Sequence, residues 1–184
     1  MITSLLLFCG SRTGHDASQG ALATALGIML AERGVTLVYG GGGVGLMGLA
    51  ARAALGAGGK VVGIIPRALM TAEIAQAGLT EMHVVETLHE RKALMHDRSD
   101  AIIALPGSIG TLDELFESVT WRELGIHDKP IWLLGANRYW DPLLALLRHI
   151  ASEGYAPPDL DQLFESLPDL AALALHLPPP NALS

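Results

Sequence analysis

The chain has 184 residues, half of them hydrophobic, and carries 12 Lys and Arg against 19 Asp and Glu, for a formal charge of −7. This length favours one domain with a substantial core, and the acidic balance weighs against a nucleic-acid surface. The single cysteine, Cys9, cannot form an internal disulfide and fits a reducing compartment. The start of the chain lacks a basic n-region, and no apolar run approaches the ~20 residues of a membrane span. We therefore expect a cytoplasmic protein without a signal peptide or membrane contact.

Short apolar runs alternate with segments of helical periodicity along the whole chain. Strands are predicted at residues 5–9, 35–39, 60–65, 82–85, 101–105 and 131–134. Helices are predicted at residues 21–33, 46–55, 87–98, 112–124 and 142–151. Continuous apolar strands between helices are typical of a parallel sheet that is covered on both faces. The fold class expected is therefore α/β.

The domain is expected to span residues 1–177. The proline-rich tail at residues 178–184 cannot extend a helix, and we expect it to be flexible.

Residues 106–114, with the sequence PGSIGTLDE, form the most informative segment. They connect a predicted buried strand to a predicted amphipathic helix. The first N–H groups of a helix have no internal partner, and the helix dipole adds partial positive charge there, so this turn is expected to bind a phosphate. Glu114 is predicted to lie in the first helical turn, next to whatever the phosphate is attached to. A carboxylate in that place suggests chemistry on the sugar of a phosphate ester.

A second glycine-rich segment, GGGGVGLMG at residues 40–48, also follows a strand and opens a helix. It contains a formal G-x-G-x-x-G pattern at Gly43, Gly45 and Gly48. However, the next predicted strand ends without the carboxylate that would bind the ribose of NAD, and no Gly-Lys-Ser/Thr follows to make a P-loop. Close packing of helix on strand would explain some of these glycines. Four in a row favour contact with a mononucleotide or phosphate, because they let a ligand approach the backbone.

Residues 88–95, with the sequence LHERKALM, have two open interpretations. The charged residues could form a solvated helix face, as most charge runs do. Alternatively, the Arg91 guanidinium could bind a carboxylate or phosphate in a nucleotide pocket. On the predicted helix, Leu88, Lys92 and Met95 share one side, and Arg91 lies on a neighbouring one.

Other candidate sites are weaker. Asp113 is explained by favourable pairing with the helix dipole, while Glu114 and Glu117 lie too close on one helix for the two opposed carboxylates of a glycosidase. The histidines lack metal-ligand spacing, so no metal is expected. Cys9 and Trp121 are expected to pack in the core.

The order of these motifs resembles the LOG family, the cytokinin riboside 5′-monophosphate phosphoribohydrolases, long labelled "possible lysine decarboxylase". The resemblance rests on FCGS at residues 8–11, the glycine loop at 38–48, HERKA at 89–93, the motif at 106–114 and LGIH at 124–127. It implies a single Rossmann-like domain, a homodimer, and no cofactor. It also implies hydrolysis of the N-glycosidic bond of a nucleoside 5′-monophosphate, AMP or an N6-modified cytokinin riboside 5′-monophosphate, to free base and ribose 5-phosphate.

Position by position, Arg91 and Glu114 match the family's catalytic pair. The resemblance further implies that the glycine loops and their neighbours bind the substrate. These residues are Ser11, Gly42, Gly43, Gly45, Met47, Lys92, Met95, Pro106, Gly107, Ser108, Gly110 and Thr111.

The chain departs from the family pattern at Ser108, which replaces the second glycine of P-G-G, and at Leu88, which replaces a methionine. Ser108 would be strained if that position needs a positive φ; alternatively, its hydroxyl adds a phosphate contact. The alternative function is a nucleotide-binding protein without turnover. A lysine decarboxylase is disfavoured, because none of the lysines at positions 60, 92 and 129 has the context of a Schiff-base residue.

Overall fold

A computed structural model describes residues 1–71 and 75–180 of the chain. The strands are β1 (Ser4–Phe8), β2 (Thr36–Tyr39), β3 (Val61–Pro66), β4 (Glu81–Val85), β5 (Ala101–Ala104), β6 (Ile131–Leu134) and β7 (Glu165–Leu167). The helices are α1 (Ala17–Glu32), α2 (Gly45–Gly56), α3 (Leu88–Asp97), α4 (Ile109–Glu123), α5 (Asp141–Ser152) and α6 (Leu170–Ala174). Three short 3₁₀ turns, Arg67–Leu69, Ala136–Arg138 and Leu160–Leu163, complete these elements.

The seven strands form one parallel sheet in the order β4-β3-β2-β1-β5-β6-β7. The chain moves outward from β1 to β4 and then crosses back through α3 to place β5 on the other side of β1. The strand order therefore reverses between β1 and β5, and ligands of such sheets bind outside the carboxyl ends of the strands at this switch point. The predicted α/β class, with a doubly wound parallel sheet, is confirmed.

The core consists of two layers, one on each face of the sheet. Leu5 and Leu7 of β1 point to the layer formed with α1, α2 and α6, while Leu6 and Phe8 point to the layer formed with α3, α4 and α5. This alternation follows from the twofold period of a strand. Burial on both faces explains why the strands appear as continuous apolar runs in the sequence.

Two helices, α1 and α4, begin three or more residues earlier than predicted. α1 begins at Ala17 because Asp16 caps it, accepting a hydrogen bond from the Ser18 N–H. α4 begins at Ile109, three residues before the predicted start, because its first turn faces solvent and cavity and so lacks the apolar periodicity of the rest. This corrects the placement of Glu114, which lies in the second turn of α4.

The sequence did not predict β7 and α6, which contain three and five residues. Both are too short for a periodic signal, and they form only because β6 and the core offer a surface for pairing and packing. Leu177, the last residue of the predicted domain, packs in the core, and the Pro178 carbonyl accepts a hydrogen bond from Arg33. Positions 181–184 of the predicted tail lie outside the described residues, and the flexibility of the tail stays a prediction. Over residues 1–71 and 75–180, the structure contains no helix long and apolar enough to cross a membrane.

Candidate active site

Two adjoining cavities open at the switch point. The Glu114 cavity, of about 220 Å³, is lined by Cys9, Gly10, Ser11, Met47, Arg91, Ser108, Gly110, Thr111 and Glu114. The Tyr139 cavity, of about 660 Å³, shares Gly10, Ser11 and Ser108 with it and extends to residues 12–16, Gln19, Leu46, Pro106, Gly107, Ala136, Asn137 and Tyr139. The loops after β1 and β5 thus form a common wall between the two cavities.

Backbone hydrogen bonds fix these loops against one another. The Gly10 N–H donates to the Pro106 carbonyl at 2.9 Å, and the Leu46 N–H donates to the Gly10 carbonyl at 3.0 Å. The Tyr139 hydroxyl donates to the Gly107 carbonyl at 2.8 Å. The loops after β1, β2, β5 and β6 therefore form one connected rim, and a ligand would meet a preorganised surface.

The N-terminus of α4 faces both cavities. Ser108 is its N-cap residue, with φ −104° and no side-chain capping bond, so this residue is not strained, and it lines both cavities. Gly110 and Thr111 belong to the first helical turn, where N–H groups and the helix dipole attract anions. Gly107 must be glycine, because a Cβ there would lie 2.0 Å from the Thr111 hydroxyl oxygen. The geometry of this turn fits a phosphate.

The charged segment on α3 is not a solvated face, because both Arg91 and Lys92 are buried. Arg91 lines the Glu114 cavity, and its Nη2 donates to the Gly40 carbonyl at 3.0 Å. Lys92 points instead toward α4, with Nζ 3.2 Å from a carboxylate oxygen of Asp113 and 3.1 Å from one of Glu117. Burial opposes the charge of Lys92, but these two carboxylates outweigh it and raise its pKa.

Lys92 therefore stays protonated and joins α3 to α4. It does not line either of the two cavities.

Cys9 lies at the end of β1, where it packs in the core and also lines the Glu114 cavity. Burial, and then the negative charge of Glu114, raise the pKa of its thiol well above the usual range. Cys9 is consequently a protonated thiol at neutral pH, unsuited to act as a nucleophile.

The glycines of the loop at residues 40–45 are explained mainly by contacts within the protein. A Cβ on Gly40 would lie 1.9 Å from Nη2 of Arg91, and one on Gly45 would lie 2.2 Å from the Ser11 carbonyl carbon. Gly45 also has a positive φ of 56°. Gly42 pairs with Ala75 in an isolated bridge, and the Gly43 carbonyl accepts a hydrogen bond from Arg52. The loop thus packs against Arg91 and Ser11, which line the Glu114 cavity. Its own Gly42, Gly43 and Gly45 do not line either cavity.

Most of the predicted residues are brought together. Ser11, Met47, Arg91, Ser108, Gly110, Thr111 and Glu114 line the Glu114 cavity, and Pro106 and Gly107 line its neighbour. Met95 lies elsewhere: it is fully buried in the core layer under α3 and lines neither cavity. Leu88, predicted on the same helix side as Met95, is exposed. Trp121, expected in the core, is half-buried at its edge, with its ring centroid 4.7 Å from that of His96.

Sequence reasoning missed the contribution of the loop after β6. Asn137 donates to the Asp16 carboxylate at 2.6 Å, and Gln19 exchanges two hydrogen bonds with the backbone of Ala136. Asn137 and Arg138 both adopt positive φ, which costs energy in non-glycine residues. No local motif marks this loop, because its role depends on β6 lying next to β5.

The fold and the site together define a doubly wound α/β protein in which a helix N-terminus, a carboxylate and a guanidinium line one cavity. The family model described as "possible lysine decarboxylase" matches residues 47–177. A probable cytokinin riboside 5′-monophosphate phosphoribohydrolase from Oryza sativa subsp. japonica is 51% identical over 164 residues, which cover 89% of this chain and 74% of the relative. A cytokinin riboside 5′-monophosphate phosphoribohydrolase from Rhodococcoides fascians is 49% identical over 156 residues, covering 84% and 79%. The chain belongs to this family, the LOG family, as its motifs predicted.

Solved structures with the same fold are more distant in sequence. The molybdenum cofactor carrier protein from Chlamydomonas reinhardtii superposes with a TM-score of 0.71 at 19% identity, covering 96% of both chains. The molybdenum cofactor binding protein from Rippkaea orientalis gives a TM-score of 0.68 at 20% identity, covering 94% of this chain and 92% of that one. These similarities support the Rossmann-like fold.

Proposed function

We propose that this protein is a nucleoside 5′-monophosphate phosphoribohydrolase, which cleaves the N-glycosidic bond of AMP or of N6-modified adenosine monophosphates. The observation that carries the proposal is the Glu114 cavity, where the N-terminal turn of α4, Arg91 and Glu114 line one space. The relatives at 43–51% identity that bear the phosphoribohydrolase name support it. The products are a free base and ribose 5-phosphate.

The substrate phosphate binds the N–H groups at the start of α4. This contact lies far from the bond that breaks, so its binding energy serves to position the ribose. Ser108 and Thr111 border the same turn and place hydroxyl groups beside the phosphate. No cofactor takes part in the proposed reaction.

Glu114 lies one turn deeper and acts on the ribose. As the bond from C1′ to the base breaks, positive charge develops on the sugar, and the carboxylate stabilises it. Water adds to C1′, and the leaving base takes up a proton. Arg91, whose Nη2 donates to the Gly40 carbonyl, lines the same cavity and brings a guanidinium to the reacting groups.

Product analysis tests this proposal. The purified protein is incubated in parallel with AMP, with isopentenyladenosine monophosphate and with adenosine, and free base and ribose 5-phosphate are measured by chromatography. We expect cleavage of the monophosphates and, because the phosphate anchor is missing, little cleavage of adenosine. Equal turnover of AMP and adenosine would contradict the role of the α4 turn. Intact AMP, with binding shown by calorimetry, would favour a nucleotide-binding protein without turnover.

We also propose that the protein forms a homodimer, as the family resemblance implies. The exposed side of α3 and α4 is the interface we propose. Ile109 and Phe116 lie seven residues apart on one face of α4 and are 76% and 37% exposed, and Leu88 on α3 is 55% exposed. A second copy would cover these apolar side chains. Light scattering should give the mass of two chains for the wild type and of one for Phe116→Asp, with Leu175→Asp, an exposed leucine beyond the last helix, as control.

A cytoplasmic location is proposed as well, on the basis of a sequence with one cysteine, buried as a thiol. Cell fractionation tests it.

A further inference from the structure

Behind the Glu114 cavity, α3 and α4 make polar contacts that the reaction itself does not use. His96 lies five residues after Arg91 on α3, and Ser118 lies four residues after Glu114 on α4. Nε2 of His96 is 2.8 Å from Oγ of Ser118. The two residues are 5% and 0% exposed, so this contact is within the core.

The hydrogen-bond partners fix the direction of this contact. Oγ of Ser118 is also 2.8 Å from the carbonyl oxygen of Glu114, to which it can only donate. A hydroxyl has one proton, so Oγ must accept from Nε2–H of His96. The chain of donors therefore runs from His96 through Ser118 to the backbone of the catalytic residue Glu114.

The surroundings of His96 keep its ring neutral, and the contact with Ser118 selects the tautomer that is protonated at Nε2. Its Nδ1 is buried and has no hydrogen-bond partner among the described residues. The His127 ring packs 5.3 Å away, and the Lys129 ammonium binds the His96 carbonyl. Burial, and then the charges of His127 and Lys129, lower the pKa of His96 to about 4. Nε2 consequently carries the proton throughout the neutral range.

We infer that His96 and Ser118 are positioning residues, which fix the turn of α4 carrying Glu114 at its working distance from Arg91 on α3. The inference rests on the proposed function, because it assigns these residues to the carboxylate of that reaction. The Lys92 ion pairs with Asp113 and Glu117 hold the same two helices together on the outer side. The His96–Ser118 contact does so on the buried side, where no water can replace it.

The test compares variants that remove or keep this donor chain. Ser118→Ala and His96→Leu both break it, whereas His96→Gln keeps an N–H donor of similar reach. We expect kcat for AMP to fall about tenfold in the first two, because small misplacements of a catalytic group are costly. KM should stay within about twofold, because the phosphate site lies one turn earlier on α4. His96→Gln should restore most of kcat.

Ser99→Ala is the matched control. Ser99 is a buried serine on the same side of the sheet, and its hydroxyl donates to the Met95 and His96 carbonyls without a contact to α4. A merely structural loss of a buried hydroxyl would lower the melting temperature in both serine variants and leave kcat per folded enzyme unchanged. Equal kcat in Ser118→Ala, His96→Leu and Ser99→Ala would overturn the inference.

A second readout separates this inference from the proposed function. Crystal structures of the wild type and of Ser118→Ala should show the Glu114 carboxylate displaced by more than about 0.5 Å relative to Arg91, the tolerance of a preorganised site. If the wild type does not cleave AMP, the proposed function fails, and this displacement still decides the role of the pair. An unmoved carboxylate in Ser118→Ala would overturn that role.

Discussion

The two glycine-rich loops of this protein have similar sequences but different roles. Both follow a parallel strand and open a helix, and both predict a ligand site on the sequence alone. In the loop at residues 40–45, neighbouring protein atoms occupy the space beside the glycines: Arg91 beside Gly40 and the Ser11 backbone beside Gly45. In the loop at residues 106–111, Gly107 also has protein beside it, the Thr111 side chain, but Gly110 has open space next to it and lines the Glu114 cavity.

The missing side chain of a glycine therefore permits two kinds of close contact. One allows another part of the chain to come near, and the other allows a ligand to come near. The first loop also works for the site, but indirectly, since Gly40 leaves room for the buried guanidinium of Arg91. The two loops also differ in the contacts that hold them in place. The side chains of Arg91 and Arg52 donate hydrogen bonds to carbonyls of the first loop, whereas polar side chains between α3 and α4 stabilise the helix that follows the second.

The largest loss of activity is expected from a substitution of Glu114, on the helix that follows the second loop. Glu114→Gln keeps the volume of the side chain but removes the charge that stabilises the sugar cation, so turnover of AMP should fall by about 10²–10³. Chromatographic assay of adenine release measures this. Glu123→Gln, an exposed carboxylate at the end of the same helix, should keep wild-type turnover. A comparable loss in both variants would mean that helix charge, and not the site, is responsible.

In the first loop, whose glycines contact protein atoms, Gly45→Ala should lower the free energy of unfolding by about 2–5 kcal/mol. A positive φ disfavours any side chain, and the new Cβ would overlap the Ser11 backbone. Gly58→Ala separates the two causes, since Gly58 has φ +77° but nothing within 4 Å of its Cβ position. The Gly58→Ala variant should lose only about 1–2 kcal/mol of its free energy of unfolding. Urea denaturation measures both variants; equal losses would show that Ser11 moves aside easily.

The buried His96, which contacts Ser118 of α4, should make the free energy of unfolding decrease at acidic pH. Burial lowers the pKa of His96 to about 4 in the folded protein, from 6.5. Between these values the unfolded chain binds the proton and the folded one does not, so stability is complete above pH 6.5 and falls as the pH decreases toward 4. The loss from pH 7.5 to pH 5 should be about 2 kcal/mol.

Denaturation curves at several pH values measure this loss, and His96→Gln provides the reference because glutamine does not titrate. The difference in slope between the two proteins isolates His96 from His127, whose pKa burial also lowers. Identical slopes would show that His96 titrates alike in the folded and unfolded chains.

The smallest effect is expected at Ser108, where the ligand-facing loop departs from the family pattern. Its φ of −104° is not strained, and the residue lines both cavities, within reach of a ligand bound there. Ser108→Gly should therefore weaken AMP binding about threefold through the loss of one hydrogen bond. Calorimetry with AMP, with Glu114→Gln as the background to prevent turnover, measures the change. Tighter binding by the glycine variant would indicate that the serine is a steric hindrance instead.

The alternation of strands and helices, the parallel sheet and the motif at α4 could all be predicted from the amino-acid sequence, because these features depend on local periodicity and on the chemistry of single turns. The motif placed Glu114 beside the predicted phosphate turn, and the family pattern then favoured Arg91 as its catalytic partner. The same pattern also placed Met95 in the site, although Met95 belongs to the core, since spacing along a helix does not tell which side meets a cavity.

Three features became visible only in the folded molecule: what surrounds each glycine, how the loop after β6 completes the rim, and which polar residues lie buried behind Glu114. These features depend on elements distant in sequence, such as Gly40 and Arg91, which are brought together by the order of the strands. Packing and hydrogen bonding between such elements leave no periodic signal in the chain. The reversal of strand order between β1 and β5 is what places their loops side by side and creates the site.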